Sequence, residues 1–411
     1  MEVAGVEILV ELGPTALAVA FVGTGILLGT ISGLTPGLHA NNFALLLAAV
    51  AASVPGPPRF VAAAMLAAGV VHTFLDIVPA LALGVPDPAM AASALPGHRL
   101  VLDGRGREAL RLSALGSGLA VVLAVPLAIP LTEGMTAAYP WIESNLGVVL
   151  TAVAAALVLT EPTRSARFGA GLSLAASGLL GVATLDLSPG GPLPAGGMLA
   201  PLFAGLFGAP VLLSAMGGNG VPPQDDPMVL QSRRNVLRVA GLGTLAGAVV
   251  GYLPGVSSAI AATLVLLAVP ASRGSRGFVV ATSGVNTATA VFALFAFVAL
   301  DQPRTGVLVA VDSVGTPVSL PLFLVSIAVA AAVGFVLVLV IGDRYLRTVG
   351  RLDNRRLSVG VIAALVGLVW GFTGWLGVVV FVVATAVGLL PPWAGARRVS
   401  LMGVLLVPLA L

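Results

Sequence analysis

The chain has no cysteine, which excludes disulfides, thiolate metal sites, cysteine nucleophiles and iron–sulfur clusters. It has no lysine either. All 20 basic residues are arginine, so a phosphate-binding loop ending in Gly-Lys cannot be built. The paired-histidine helix of metalloproteases is absent from a chain with three histidines. No metal site and no organic cofactor are expected. Charge of either sign is scarce, at 9% of 411 residues, too little to cover the surface of a water-soluble protein of this length.

What is abundant is apolar: 58% of the residues are hydrophobic and the mean hydropathy is +1.08. Apolar runs recur along the whole chain, many of them long enough to cross roughly 30 Å of hydrocarbon. They lie at 15–34, 40–53, 60–84, 109–131, 145–160, 167–185, 197–214, 237–253, 256–270, 277–300, 318–342, 357–371, 374–390 and 399–411. The fold class expected is therefore an all-α integral membrane protein with about 12–14 transmembrane or re-entrant helices. The second, ninth and last runs are short for a full crossing, and the second and ninth fit the limbs of re-entrant hairpins. Glu2, Glu7 and Glu11 precede the first run, where a secretory signal would carry positive charge, so no cleavable targeting segment is expected.

The arginines report orientation, not nucleic acid. They fall in alternate connections, as in Arg99, Arg105 and Arg107, then Arg164 and Arg167, then Arg233 and Arg234, then Arg273 and Arg276, then Arg344 to Arg356, then Arg397 and Arg398. Arg59 and Arg304 are the exceptions. The positive-inside rule makes the arginine-bearing loops cytoplasmic and puts both termini outside the cell membrane. The stretch Gln224-Asp225-Asp226 reads as a solvated linker.

An internal repeat organises the chain. Gly29-x-x-x-Gly33-x-x-Pro36-Gly37-Leu38 returns as Gly247-x-x-x-Gly251-x-x-Pro254-Gly255-Val256, and Gly69 and Pro88 match Gly284 and Pro303 at the same spacing. Two sets of seven elements follow, 1–214 and 237–411, joined by a loop at 215–236. Seven is odd, so the second set enters the membrane upside down relative to the first, the inverted-repeat plan of many secondary transporters. Pro36-Gly37 and Pro254-Gly255 supply helix breaks, since proline removes a donor and glycine permits unusual backbone angles. The helix beginning after each break offers free N–H groups to an anion. Tight turns at the membrane surface are the alternative.

Polar residues cluster at these breaks. His39, Asn41 and Asn42 follow the first and Ser257 and Ser258 the second, where they bind a ligand or cap the helix. In the third element His72 and Asp76 lie one helical turn apart. Ionisable groups within a span mark a pathway, a proton relay or a buried structural pair. The matching stretch of the second set, with Asn286 and Thr287, is polar but uncharged. Substrate contacts are thus expected from His39, Asn41, Asn42, Ser257, Ser258, Asn286 and Thr287, and coupling to a proton or Na+ from His72 and Asp76.

With these motifs in place, the chain resembles the TctA family, the large membrane subunit of the tripartite tricarboxylate transporters, and especially its divergent stand-alone archaeal-type members. The resemblance covers nearly the whole length. It rests on the two Pro-Gly motifs, on the glycine-rich third element ending in Gly84-Val85-Pro86, and on the loop from Gly97-His98-Arg99 to Gly106-Arg107-Glu108-Ala109-Leu110. The chain departs from the family around His72-Thr73-Phe74, in place of a Tyr-Gly-Gly run, and at Gly284-Val285-Asn286-Thr287, in place of Pro-Glu-Ala-Ala-Asn-Asn. The resemblance implies a permease and not an enzyme, working by alternating access on a small organic anion such as a carboxylate. It also implies an extracellular binding protein and a small membrane subunit as partners. A second resemblance, through Pro254-Gly255-Val256-Ser257-Ser258, is to translocases of polyprenyl-phosphate lipid carriers. A rival from another class is an intramembrane enzyme using His72 and Asp76 as acid and base; against it, the one clear intramembrane aspartate leaves an aspartyl dyad unavailable.

Overall fold

The computed structural model describes residues 2–3, 6–7, 11–36, 38, 40–51, 53–84, 94–193, 197–216, 221–226, 228–253, 255–268 and 274–411. Apart from a two-residue antiparallel ladder between β1 (Glu2–Val3) and β2 (Val6–Glu7), the described structure is helical. Among the described residues eight helices are long and apolar enough to cross a membrane. The protein is an all-α, multi-pass membrane protein.

The chain opens with α1 (Leu12–Leu34), the short α2 (Ala40–Ala51), and α3 (Pro58–Leu75), which continues through Asp76 into α4 (Ile77–Leu83). Pro58 begins α3 at a position where the missing N–H costs nothing. A short α5 (Ala94–Leu102) leads to α6 (Gly106–Ser144), α7 (Leu146–Leu159) and α8 (Arg164–Thr184). Next, α9 (Leu199–Phe203) runs through a π-helical turn at Ala204–Gly208 into α10 (Ala209–Ala215). The second series is α11 (Arg233–Tyr252), α12 (Ser258–Ala268), α13 (Gly274–Leu300), α14 (Gly306–Ser313), α15 (Leu320–Val349) and α16 (Asn354–Gly388). It closes with α17 (Leu390–Trp393), a 3-10 turn at Arg398–Met402 and α18 (Gly403–Ala410). Side-chain oxygens cap several of the N-termini, among them Thr163 for α8, Ser232 for α11, Thr305 for α14 and Asp353 for α16.

Several boundaries differ from the hydropathy pattern. The runs at 357–371 and 374–390 are the two arms of α16, broken at Gly374, where φ of 60° and ψ of −158° suit glycine alone. The run at 109–131 extends to Ser144 through Pro126, Pro130 and Pro140. Helices α5 and α14 carry too few apolar residues to register as spans. Residues 221–226 and 228–232 are more than a solvated linker. Gln224 accepts from the Gly106 amide at 2.7 Å and donates to the Val101 carbonyl at 3.0 Å, and Asp225 N–H donates to the Gly104 carbonyl at 2.9 Å. The Leu230 amide reaches Glu108 at 2.9 Å. Glu108, with 0% side-chain exposure, also takes Arg105 at 2.6 Å and Arg276 at 2.8 Å. Asp226 itself is exposed and pairs with Arg111.

Packing is reciprocal. Helix α3 lies between α1 and α15, and α13 lies between α11 and α6. Likewise α14 packs on α3 while α5 packs on α13, and α18 packs on α8 while α16 packs on α9 and α10. The two inner helices, α3 and α13, are the most enclosed, whereas α1, α15 and α16 present large apolar side chains such as Leu27, Val325 and Trp375 outward. Lipid is as apolar as leucine, so burial of apolar area does not drive these helices together; close van der Waals approach does. Glycines permit that approach. Gly25 and Gly29 face the carbonyls of Ala64 and Ala68 too closely for a methyl group, and a Cβ on Gly33 would lie 2.8 Å from Leu75 Cβ. On α11, a Cβ on Gly243 would meet the Ala281 carbonyl at 2.7 Å, on Gly247 the Ala288 Cβ at 2.6 Å, and on Gly251 the Phe292 Cβ at 2.8 Å. The same four-residue spacing thus seats α1 on α3 and α11 on α13.

Gly29→Ala and Gly247→Ala are expected to lower stability by about 1–3 kcal/mol, the usual cost of overpacking. Gly134→Ala in α6, with open space around it, is expected to be neutral or stabilising by about 0.5–1 kcal/mol. Thermal unfolding in detergent measures all three.

Candidate functional site

A cavity of about 200 Å³ opens where α3, α13 and the start of α12 meet, with the start of α14 as its fourth wall. Its lining includes Ala40, Gly69, Val70 and Thr73 from the first series, and Gly255, Val256, Ser257, Ser258, Asn286 and Thr289 from the second. The walls are mainly apolar with a few convergent polar groups, the usual character of a small-molecule site.

Local sequence explains each wall. Gly255 has φ of +80°, which turns the chain into α12, and the residues at that turn and the helix start, Gly255 to Ser258, line the cavity. Ser257 Oγ accepts from the Ile260 amide at 3.4 Å, a capping contact, and Ser258 Oγ lies 3.5 Å from Thr289 Oγ1. Asn286 has two roles. It lines the cavity, and its Nδ2 donates to Asp76 Oδ2 at 2.6 Å within the protein, where Asp76 is 5% exposed. His72, one turn before Asp76, is 1% exposed, lies with Nδ1 2.9 Å from Ser32 Oγ on α1, and stacks on Phe43 of α2 with ring centroids 6.4 Å apart.

Of the residues singled out from sequence, the structure therefore gathers Ser257, Ser258, Gly255 and Asn286 on the cavity, while His72 and Asp76 are not in its lining and Asp76 reaches it only through Asn286. Thr287 points elsewhere: it donates to Ser117 of α6 at 2.8 Å and sits 3.2 Å from Thr73 Oγ1. With Ser113, 2.8 Å from Ser283, it forms a hydroxyl seam that fastens α6 to α13. Pro36 sits in the turn that follows α1. Gly37, His39 and Pro254 lie outside the described residues, as do the side chains of Asn41 and Asn42.

One residue escaped the sequence reading. Arg304, on the connection from α13 to α14, lines the cavity. Its Nη2 donates to Tyr139 Oη and, at 2.6 Å, to Gln302 Oε1, with the guanidinium carbon 5.0 Å from the centre of the Tyr139 ring. The signal was present: Arg304 is one of two arginines that break the alternation of basic loops. A charge that does not serve topology is a candidate for the site.

A family model described as "Tripartite tricarboxylate transporter TctA family" matches residues 19–403, nearly the whole chain. The chain belongs to the TctA family. It is accordingly a transporter component, in a family whose members assemble with a binding protein and a small membrane subunit, and the family match does not favour the lipid-carrier translocase. The chain is also similar to an uncharacterized protein of Methanocaldococcus jannaschii, 25% identical over 389 residues that cover 93% of this chain and 96% of that protein. No solved structure matches it.

The absence of native cysteine permits a direct test of the cavity. Ala40→Cys and Val256→Cys, which line it, are expected to react with small water-soluble thiol reagents. Ala259→Cys on α12, 0% exposed, is expected to stay unlabelled. Protection of the first two, equal to that of Ala259→Cys, would mean that water does not reach the cavity.

Proposed function

We propose that this TctA-family protein is a permease that moves a small organic anion, a carboxylate, across the cell membrane by alternating access, coupled to a proton or Na+. The observation that carries the reading is the cavity itself. It is walled by α3 from one series and by α12 and α13 from the other, and it holds a broken-helix N-terminus, hydroxyls and an amide together. Helix N-termini favour anions through their unpaired N–H groups and the helix dipole. Two inverted seven-element repeats, 1–214 and 237–411, would place such a site where broken helices of the two series meet. The reciprocal packing of α3 and α13 supports that plan, and the alternation of arginine loops supports termini on the outside.

Coupling is assigned to Asp76 and His72. Asn286 touches both the cavity and the Asp76 carboxylate, so a change in the charge of Asp76 alters the amide that faces the substrate. An extracellular binding protein would deliver the substrate, and a small membrane subunit would complete the assembly.

Uptake into proteoliposomes of radiolabelled mono-, di- and tricarboxylates, under imposed proton or Na+ gradients, tests the proposal. Wild-type protein is expected to show saturable, gradient-driven uptake. Asp76→Asn is expected to lower that driven uptake by about tenfold or more, a loss of ~1.4 kcal/mol, while preserving substrate exchange in the absence of a gradient. Driven uptake that survives the substitution unchanged would remove Asp76 from coupling. No uptake of any acid, with the binding protein present, would sink the transport reading.

A further inference from the structure

Among the described residues that line the cavity Arg304 alone carries a charge, and no carboxylate joins it there. A charged group is stabilised in an apolar, partly closed cavity by a counter-charge or by convergent dipoles. Tyr139 and Gln302 supply acceptors for one nitrogen and an aromatic face for the guanidinium. They do not neutralise it. The Nε of Arg304 is buried and has no hydrogen-bond partner among the described residues. Arginine presents its N–H groups as a fixed planar fork that matches a carboxylate, and its charge does not depend on pH.

From this geometry we propose that Arg304 is the residue that anchors the substrate carboxylate, and that the site takes a small anion with one negative charge. The proposal rests on the transport reading and narrows its substrate. The charge count is the argument. One guanidinium, assisted by the amides at the start of α12, balances one carboxylate. A tricarboxylate would bring two further charges into a cavity with no second cation among the described residues. Size agrees, because about 200 Å³ is less than the roughly 300–1,000 Å³ of clefts that hold drug-sized ligands. Tyr139 belongs to α6 and Arg304 to the α13–α14 connection, so the anchor is itself positioned by a contact between the two series of helices.

The test is equilibrium binding to purified protein in detergent, by titration calorimetry, with lactate, succinate and citrate as probes at matched ionic strength. Wild-type protein is expected to bind lactate most tightly. Arg304→Gln is expected to weaken that binding by thirtyfold or more (about 2 kcal/mol). Arg304→Lys keeps the charge but loses the fork, and is expected to fall between the two. Tyr139→Phe, which keeps the ring and removes the acceptor, is expected to weaken lactate binding severalfold. Should Arg304→Gln fail to fold, Arg304→Lys and Tyr139→Phe carry the test. Unchanged lactate affinity in the folded Arg304 variants would overturn the proposal, as would tighter binding of citrate than lactate by wild type, or no binding of any of the three. Uptake separates the two readings: driven uptake with an unchanged KM in Arg304→Gln would defeat the anchor and leave transport standing. Arg304-dependent lactate binding without uptake would do the reverse.

Discussion

The structure depends on how closely two pairs of helices can approach in a solvent that gives apolar surface no reason to cluster. In water, leucine on one helix would find leucine on another because both leave the solvent. In lipid that gain is absent, and association falls to dispersion contacts and to polar groups shared between helices. The glycine rows of α1 and α11 bring backbone against α3 and α13 at distances no side chain would permit. Everything nearer the centre follows from those contacts. With α3 and α13 held upright, α15 and α6 close their far sides, and the space left at the breaks becomes the cavity.

Polar residues inside the protein then divide by task. Ser113, Ser117, Ser283 and Thr287 bond to one another and to backbone, and so act as glue between α6 and α13. Ser258, Thr289 and Asn286 reach the cavity. The difference between Asn286 and Thr287 is a single helical step of about 100°, which turns one to the cavity and its neighbour to α6. Asp76 completes the arrangement from α3, bonded to the one amide that faces both ways.

Much of this was legible in the sequence. Hydropathy found the long helices because lipid leaves few alternatives to a helix. The paired Gly-x-x-x-Gly motifs foreshadowed the α1–α3 and α11–α13 contacts, although Gly25 and Gly243, one turn earlier in each row, were not recognised as members. What was less legible involves faces and long range. Helices α5 and α14 are too short for a hydropathy window, the Gly374 break hides inside an apolar run, and the rotational setting of Thr287 depends on a neighbour more than a hundred residues away. The binding partners of Gln224 are likewise remote in sequence. Arg304 was visible as an irregularity in charge placement, but only the folded chain shows that it meets Tyr139.

The segment joining the two series is fastened at several points. Gln224 and Asp225 are bonded to the stretch just before α6, and Leu230 is bonded to Glu108, which also holds Arg276 at the foot of α13. The described part of the segment is thus tied to the start of α6 and, through Glu108, to the start of α13. Relative motion of such interleaved helices would take the form of shear, one packed helix sliding along another with its glycine rows as the track. Such sliding travels a short distance, and a pathway that opens by it would be narrow, admitting its cargo one small molecule at a time.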